Sequence, residues 1–281
     1  MTNLTAQIQT THPWMRRLLG GAALLVFIAG VQLFVLTEQT ERFFAWTIRN
    51  PLTAAFLGAA YWSSGVLELL AARETVWARA RIAVPAVLLF TGLTLATSLV
   101  HIDQFHLGPE QPLEAQGLAW VWLAIYAVVP FVLLILLLVQ VRQPAGDPPP
   151  QRPLPLWLRG LIAAQSAVLV ATGAMLFVAP QVTLDIWPWT LTVLAARAIG
   201  AWLLGLGVAA AQVMLENDWS RVRPVAASCV AFGLLQGLAL VRYPDPFRWM
   251  TGPGWFYLAF LASLLALGVY GLWSARRPDP V

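Results

Sequence analysis

Long apolar runs alternate with short polar connections along the chain, at 18–36, 51–71, 82–100, 118–139, 161–179, 190–215, 225–241 and 254–275. A helix needs about 20 apolar residues to cross roughly 30 Å of hydrocarbon, so each run reads as a membrane-spanning helix. Arg16 and Arg17 precede the first run as in a signal peptide. No small-x-small cleavage site follows it, and a counterpart run begins at Leu161, so it is counted as a span. Pro130 lies inside the fourth run and predicts a kink there.

The pattern repeats. Sliding the chain against itself by about 142 residues lays ETVWARAR, 74–81, over ENDWSRVR, 216–223. Arg17 then meets Arg159, Phe90 meets Phe232, Asp103 meets Asp245 and Phe105 meets Phe247. TERFFAWT, 40–47, lies over TLDIWPWT, 183–190, with Trp46 on Trp189, and an insertion at 48–51 shifts the register so that Trp62 meets Trp202. The expected architecture is an all-α integral membrane protein of eight transmembrane helices, built as two parallel four-helix repeats over 1–140 and 157–281. Between them runs VRQPAGDPPPQRPLPL, 141–156, whose six prolines predict an extended cytoplasmic linker. Small residues supply helix packing within a bilayer, and Gly233 with Gly237 and the stretch 200–211 are the expected contact surfaces.

Composition agrees with the pattern. Of 281 residues, 59% are hydrophobic and 11% charged, too few polar side chains to cover a soluble globule of this size. The net charge of +4 raises the question of a nucleic-acid partner, but the basic residues sit at the ends of alternate runs and not on one element. Arg16, Arg17, Arg73, Arg79, Arg81, Arg142, Arg152, Arg159, Arg221, Arg223, Arg276 and Arg277 fall on one side. Arg42, Arg49, Arg242 and Arg248 fall on the other, together with Glu38, Glu41, Asp103, Glu110, Glu114, Asp185 and Asp245. The excess of arginine predicts that both termini are cytoplasmic and that the partner is the lipid bilayer, with other membrane subunits admitted and no nucleic acid. All 17 basic residues are arginine, which points to a GC-rich bacterial genome and excludes a retinal Schiff base.

Motifs exclude further classes. The chain has no Walker A loop, no GxSxG and no HExxH, and the single Cys229 forms no intramolecular disulfide or thiolate cluster. The three histidines, His12, His101 and His106, lie in a tail or at a span edge and not inside spans as paired haem ligands would. No cofactor is expected.

Residues shared by the two copies are read as scaffold, and polar residues found in one copy only as the places for chemistry. Four pass that test: Glu68, Arg197, His101 and His106. Arg197, inside the sixth span, is expected to reach Asp185 or Asp245, or to grip an anionic ligand. Glu68 is expected to pair with Arg73 one turn on, or to serve as a proton-coupling carboxylate. His101, Asp103 and His106 form a loop that could hold a divalent metal, although imidazoles five residues apart do not share a helical face. The repeated phrases are expected at lipid headgroups, with Trp77, Arg79 and Arg81 in one copy and Trp219, Arg221 and Arg223 in the other. Aromatic belts are expected at Trp46, Trp120, Trp187, Trp189, Trp249 and Trp255 outside, and Trp14, Trp77, Trp157, Trp219 and Trp273 inside.

WPWTLTVLAARAIGAWLLGLGVAAA, 187–211, followed by ENDWSRVRP, resembles a pattern in uncharacterised multi-pass membrane proteins of high-GC bacteria. The resemblance covers mainly the second copy and implies a membrane location without any activity. The expected function is that of a non-enzymatic accessory subunit, or of a binder that shelters a lipophilic or small ligand between its halves. A small-solute transporter using Glu68 or Arg197 is the alternative, and an outer-face metalloenzyme the third.

Overall fold

The structure is a computed structural model and describes residues 8–275; Arg276 and Arg277, which entered the charge pattern, lie outside the described residues. Eight apolar helices follow one another, α1 (Pro13–Gly30), α2 (Pro51–Arg73), α3 (Val84–Val100), α4 (Leu113–Val141), α5 (Leu156–Val178), α6 (Val193–Glu216), α7 (Trp219–Arg242) and α8 (Gly252–Ala275). Among the described residues, seven helices are long and apolar enough to cross a membrane, α1 with its π-helical continuation Val31–Val35 included. The eighth, α3, is shorter at 17 residues. At about 1.5 Å per residue it spans less than the hydrocarbon thickness. Its start is set by Pro85 in the first turn, and Trp77–Ala80 forms a separate helical turn before it. The similar phrase at 216–223 has no such separate turn, and α7 begins directly at Trp219.

Local chemistry fixes the ends. Asn50 caps α2 by accepting from the Leu52 N–H with Pro51 at the first position, and Thr192 Oγ1 accepts from Ala195 N–H at the start of α6. The α6–α7 turn is tight because Asn217 takes the left-handed conformation (φ 43°) while Asp218 caps α7 through Ser220 N–H.

Packing follows a pairwise scheme. α1 lies along α2 and α5 along α6, while α3 contacts α4 and α7 contacts α8. The centre is made by contacts of another kind, α2 against α7 and α6 against α3. Each central helix of one half thus lies against a central helix of the other, and the two halves interlock. Backbones approach most closely where glycine allows it. A Cβ on Gly200 would lie 2.7 Å from Gly173 O, and one on Gly58 would lie 2.6 Å from Phe34 N in the π-helical segment. Gly233 meets only the Leu265 side chain, at 2.9 Å, and Gly237 meets nothing within 4 Å, so the expected GxxxG contact is half made.

The linker is held down along much of its length. Arg152 O accepts from Trp219 N–H at 3.0 Å, Asn217 Oδ1 from Leu154 N–H at 3.1 Å, and Pro148 O from the Arg221 guanidinium at 2.6 Å. The segment before α1 is pinned in a similar way. Gln9 O accepts from Trp77 N–H at 3.0 Å, and the fully buried Gln140 joins Gln9, Thr10 and His12.

Candidate functional site

Glu68 stands on α2, the most enclosed of the spanning helices. Its side chain is buried, Oε1 accepts from Ser64 Oγ at 2.8 Å, and Oε2 has no hydrogen-bond partner among the described residues. The expected pair with Arg73 is not formed. α2 turns the carboxyl inward while Arg73, at the helix end, is exposed. What surrounds Glu68 is a cavity of ≈ 60 Å³ between α1, α2, α3 and α4, with Tyr61 and Tyr126 on its wall and their hydroxyls 2.8 Å apart.

Arg197 does not reach Asp185 or Asp245. Its Nη1 lies 2.7 Å from His101 Nε2, and its Nε donates to Phe177 O at 3.2 Å. A guanidinium has only donors, so His101 accepts through Nε2 and carries its proton on Nδ1. The Gln104 amide stands 3.2 Å from Nδ1, where its oxygen receives that proton once the amide is turned. Two residues singled out in the sequence, one before the linker and one after it, are therefore partners of each other. His101, just past the end of α3, is held below the ordinary histidine range by burial first and by the Arg197 charge second.

The loop expected to hold metal does not gather. His106 is buried with Nδ1 3.0 Å from Phe44 O and Nε2 2.9 Å from Thr47 Oγ1, whereas His101 faces Arg197 and Asp103 is exposed. Among the described residues no group of three His, Cys, Asp or Glu side chains is arranged to hold a metal.

The residues expected at headgroups differ in exposure. Trp77 and Trp219 are buried in one apolar cluster with Met15, Leu67, Leu158 and Val213. Glu216 is the node joining the repeated phrases. It accepts from Arg81 of the first half at 2.5 and 2.9 Å and from Arg221 at 2.6 Å, and Arg81 reaches Asp147 as well. Arg81 is held above its ordinary range chiefly by the hydrogen bond to Glu216. Of the six expected headgroup residues, Arg223 is exposed and Arg79 half-buried.

The belts divide likewise. Trp120, Trp249, Trp255, Trp14, Trp157 and Trp273 are exposed, but Trp46, Trp187 and Trp189 are core. Trp46 meets Trp122 edge-on (5.0 Å) and Phe105 at a tilt (5.3 Å), and Trp189 meets Tyr257 edge-on (5.5 Å) and Phe247 at a tilt (6.2 Å). Comparisons with protein-family models, with curated proteins and with solved structures find no match.

The features that sequence reasoning did not single out are cavities. One of ≈ 190 Å³ lies between α5, α7 and α8 beneath the 183–188 loop, with apolar walls that include Leu169, Leu203, Phe232 and Phe260. The partly exposed Met175 and Phe256 line it, so it opens sideways between α5 and α8. Trp187 Nε1 is buried there without an acceptor among the described residues. A smaller cavity of ≈ 20 Å³ lies between α2, α3, α6 and α7, beside Trp202, Gly205 and Ser228. No sequence signal marks such a cavity, since its lining is as apolar as the lipid-facing sides of the same helices.

Proposed function

We propose that the protein is a non-enzymatic, multi-pass component of the bacterial cell membrane that holds a lipophilic ligand with a hydrogen-bond acceptor in the cleft between α5 and α8. The carrying observation is the buried, unpartnered Trp187 N–H on the wall of the ≈ 190 Å³ apolar cavity. A cavity of that size holds a small apolar body, an engineered one of about 150 Å³ being enough for benzene. Transfer from lipid into an apolar pocket gains no hydrophobic free energy, so retention falls to shape and to one polar hook. A carbonyl or ether oxygen fits the indole donor. The ligand site then lies mostly within α5 to α8, with Phe56 of α2 on its inner wall.

Two parallel four-helix copies, with both chain ends in the cytoplasm, are part of this reading. Equivalent contacts support the duplication: Trp77 N–H to Gln9 O against Trp219 N–H to Arg152 O, and His106 N–H to Ala45 O against Arg248 N–H to Pro188 O. The crossed packing of α2 on α7 and α6 on α3 is related by the same exchange. The arginine excess near the pinned loops supports the orientation.

The test is native mass spectrometry of protein extracted with its own lipids. A ligand bound to the wild type is expected to be depleted in Leu203→Trp, which fills the cavity, and retained roughly 3- to 20-fold less in Trp187→Phe, the loss of one intramembrane hydrogen bond. Equal retention by both variants sinks the reading. A transporter is the second reading, favoured by the buried Glu68 carboxylate; absence of solute uptake into vesicles carrying the wild type removes it, and uptake that survives Glu68→Gln removes the part given to Glu68.

A further inference from the structure

The cavity beside Glu68 is chemically unlike its larger counterpart. Its polar atoms lie together on α2, α3 and α4 and offer more lone pairs than protons, with one tyrosine O–H also left over. Glu68 Oε2 has no partner among the described residues and its residue is only 2% exposed. Tyr61 and Tyr126 share a single hydrogen bond, leaving lone pairs on their oxygens, and Thr91 Oγ1 uses its proton on Val87 O and keeps its own. Around these groups stand aromatic rings, Tyr61 to Phe90 at 6.0 Å, Phe90 to Tyr126 at 6.1 Å and Trp122 to Tyr126 at 4.5 Å. No ion pair reaches Glu68 among the described residues, and the chain contains no lysine that could supply an ammonium.

We propose that this cavity binds the ammonium head of a membrane-dissolved primary amine, with Glu68 as its counter-ion. An ammonium brings three donors and one positive charge, matching the free carboxylate oxygen and the hydroxyl lone pairs, and ring faces attract it further. A neutral acceptor such as a carbonyl leaves Glu68 Oε2 as it is, and an uncompensated carboxylate within the bilayer is costly. The ≈ 60 Å³ volume suits the head alone. The alkyl chain leaves past Leu25, Ile125 and Val129, which are partly exposed on α1 and α4. In the repeat register Glu68 corresponds to Val208, so the site exists once.

This proposal concerns the first half and a different ligand class, so its outcome is independent of the α5–α8 cleft. The full chain in nanodiscs of zwitterionic lipid is melted in the presence of n-butylamine or n-butanol. The amine is expected to raise the melting temperature and the alcohol not. Glu68→Gln is expected to weaken the amine response about tenfold or more, and Trp187→Phe to leave it unchanged. Equal responses to amine and alcohol overturn the proposal, as does an amine response that survives Glu68→Gln. Should Glu68→Gln not fold, Ala29→Leu, which narrows the cavity, and Tyr126→Phe decide: an unaltered amine response in both overturns the proposal.

Discussion

Glu216 shows how a residue's surroundings assign its role. Its side chain is 2% exposed and receives both Arg81 and Arg221, of which Arg221 is 5% exposed. Removing one partner of a buried ion pair typically costs about 3 to 5 kcal/mol, because the remaining charge is stranded. Glu216→Gln is therefore expected to lower the melting temperature sharply, whereas exposed Arg223→Gln should fall within about 0.5 kcal/mol of wild type in the same measurement. His101 yields a pH dependence. Its folded form titrates below the ordinary value of 6.5, so as pH falls through 6.5 the unfolded chain takes up the proton first. Stability is expected to decline with falling pH below 6.5, to level off beneath the folded pKa, and to decline less in Arg197→Leu. Melting curves of both proteins across pH check this, and identical slopes would refute the assigned coupling.

At the scale of elements, the helices were legible because a run of apolar residues long enough to span must satisfy its backbone internally, and a helix does so. Observed bounds differ from the expected ones mainly at caps and at Pro85. Which faces meet was less legible. Gly173 and Gly200 bring α5 and α6 into backbone contact, yet a Cβ on Gly237, chosen from its spacing, would meet no neighbouring group within 4 Å. Gly200→Ala is expected to destabilise by about 1 to 3 kcal/mol through overpacking against Gly173 O, and Gly237→Ala to be neutral or slightly stabilising through helix propensity. Thermal melting of the two variants separates them.

On the scale of the whole molecule, the interlocked centre makes the halves interdependent. α2 is enclosed largely by α1 and α7, and α7 belongs to the other half. Neither half is expected to give a stable bundle when expressed alone, while co-expressed halves split within 141–156 should associate. Recovery of a monodisperse, protease-resistant 1–140 fragment would refute this. Reporter fusions within 141–156 and at the C-terminus are expected to mark the same face of the membrane, because the four helices long and apolar enough to span, α5 to α8, lie between them.

The sequence by itself determined the solvent, the helices, their order and the internal correspondence between ETVWARAR and ENDWSRVR, since run length, charge placement and repeated residues are properties of the chain alone. It also singled out Glu68, Arg197 and His101, but not their partners. Only the tertiary structure decided that Arg197 meets His101, that Glu68 faces a tyrosine-lined cavity and not Arg73, and that Trp77, Trp189 and Trp219 are buried. The physical reason is that lipid and protein interior are equally apolar, so a spanning helix carries little record in its sequence of which side faces its neighbours.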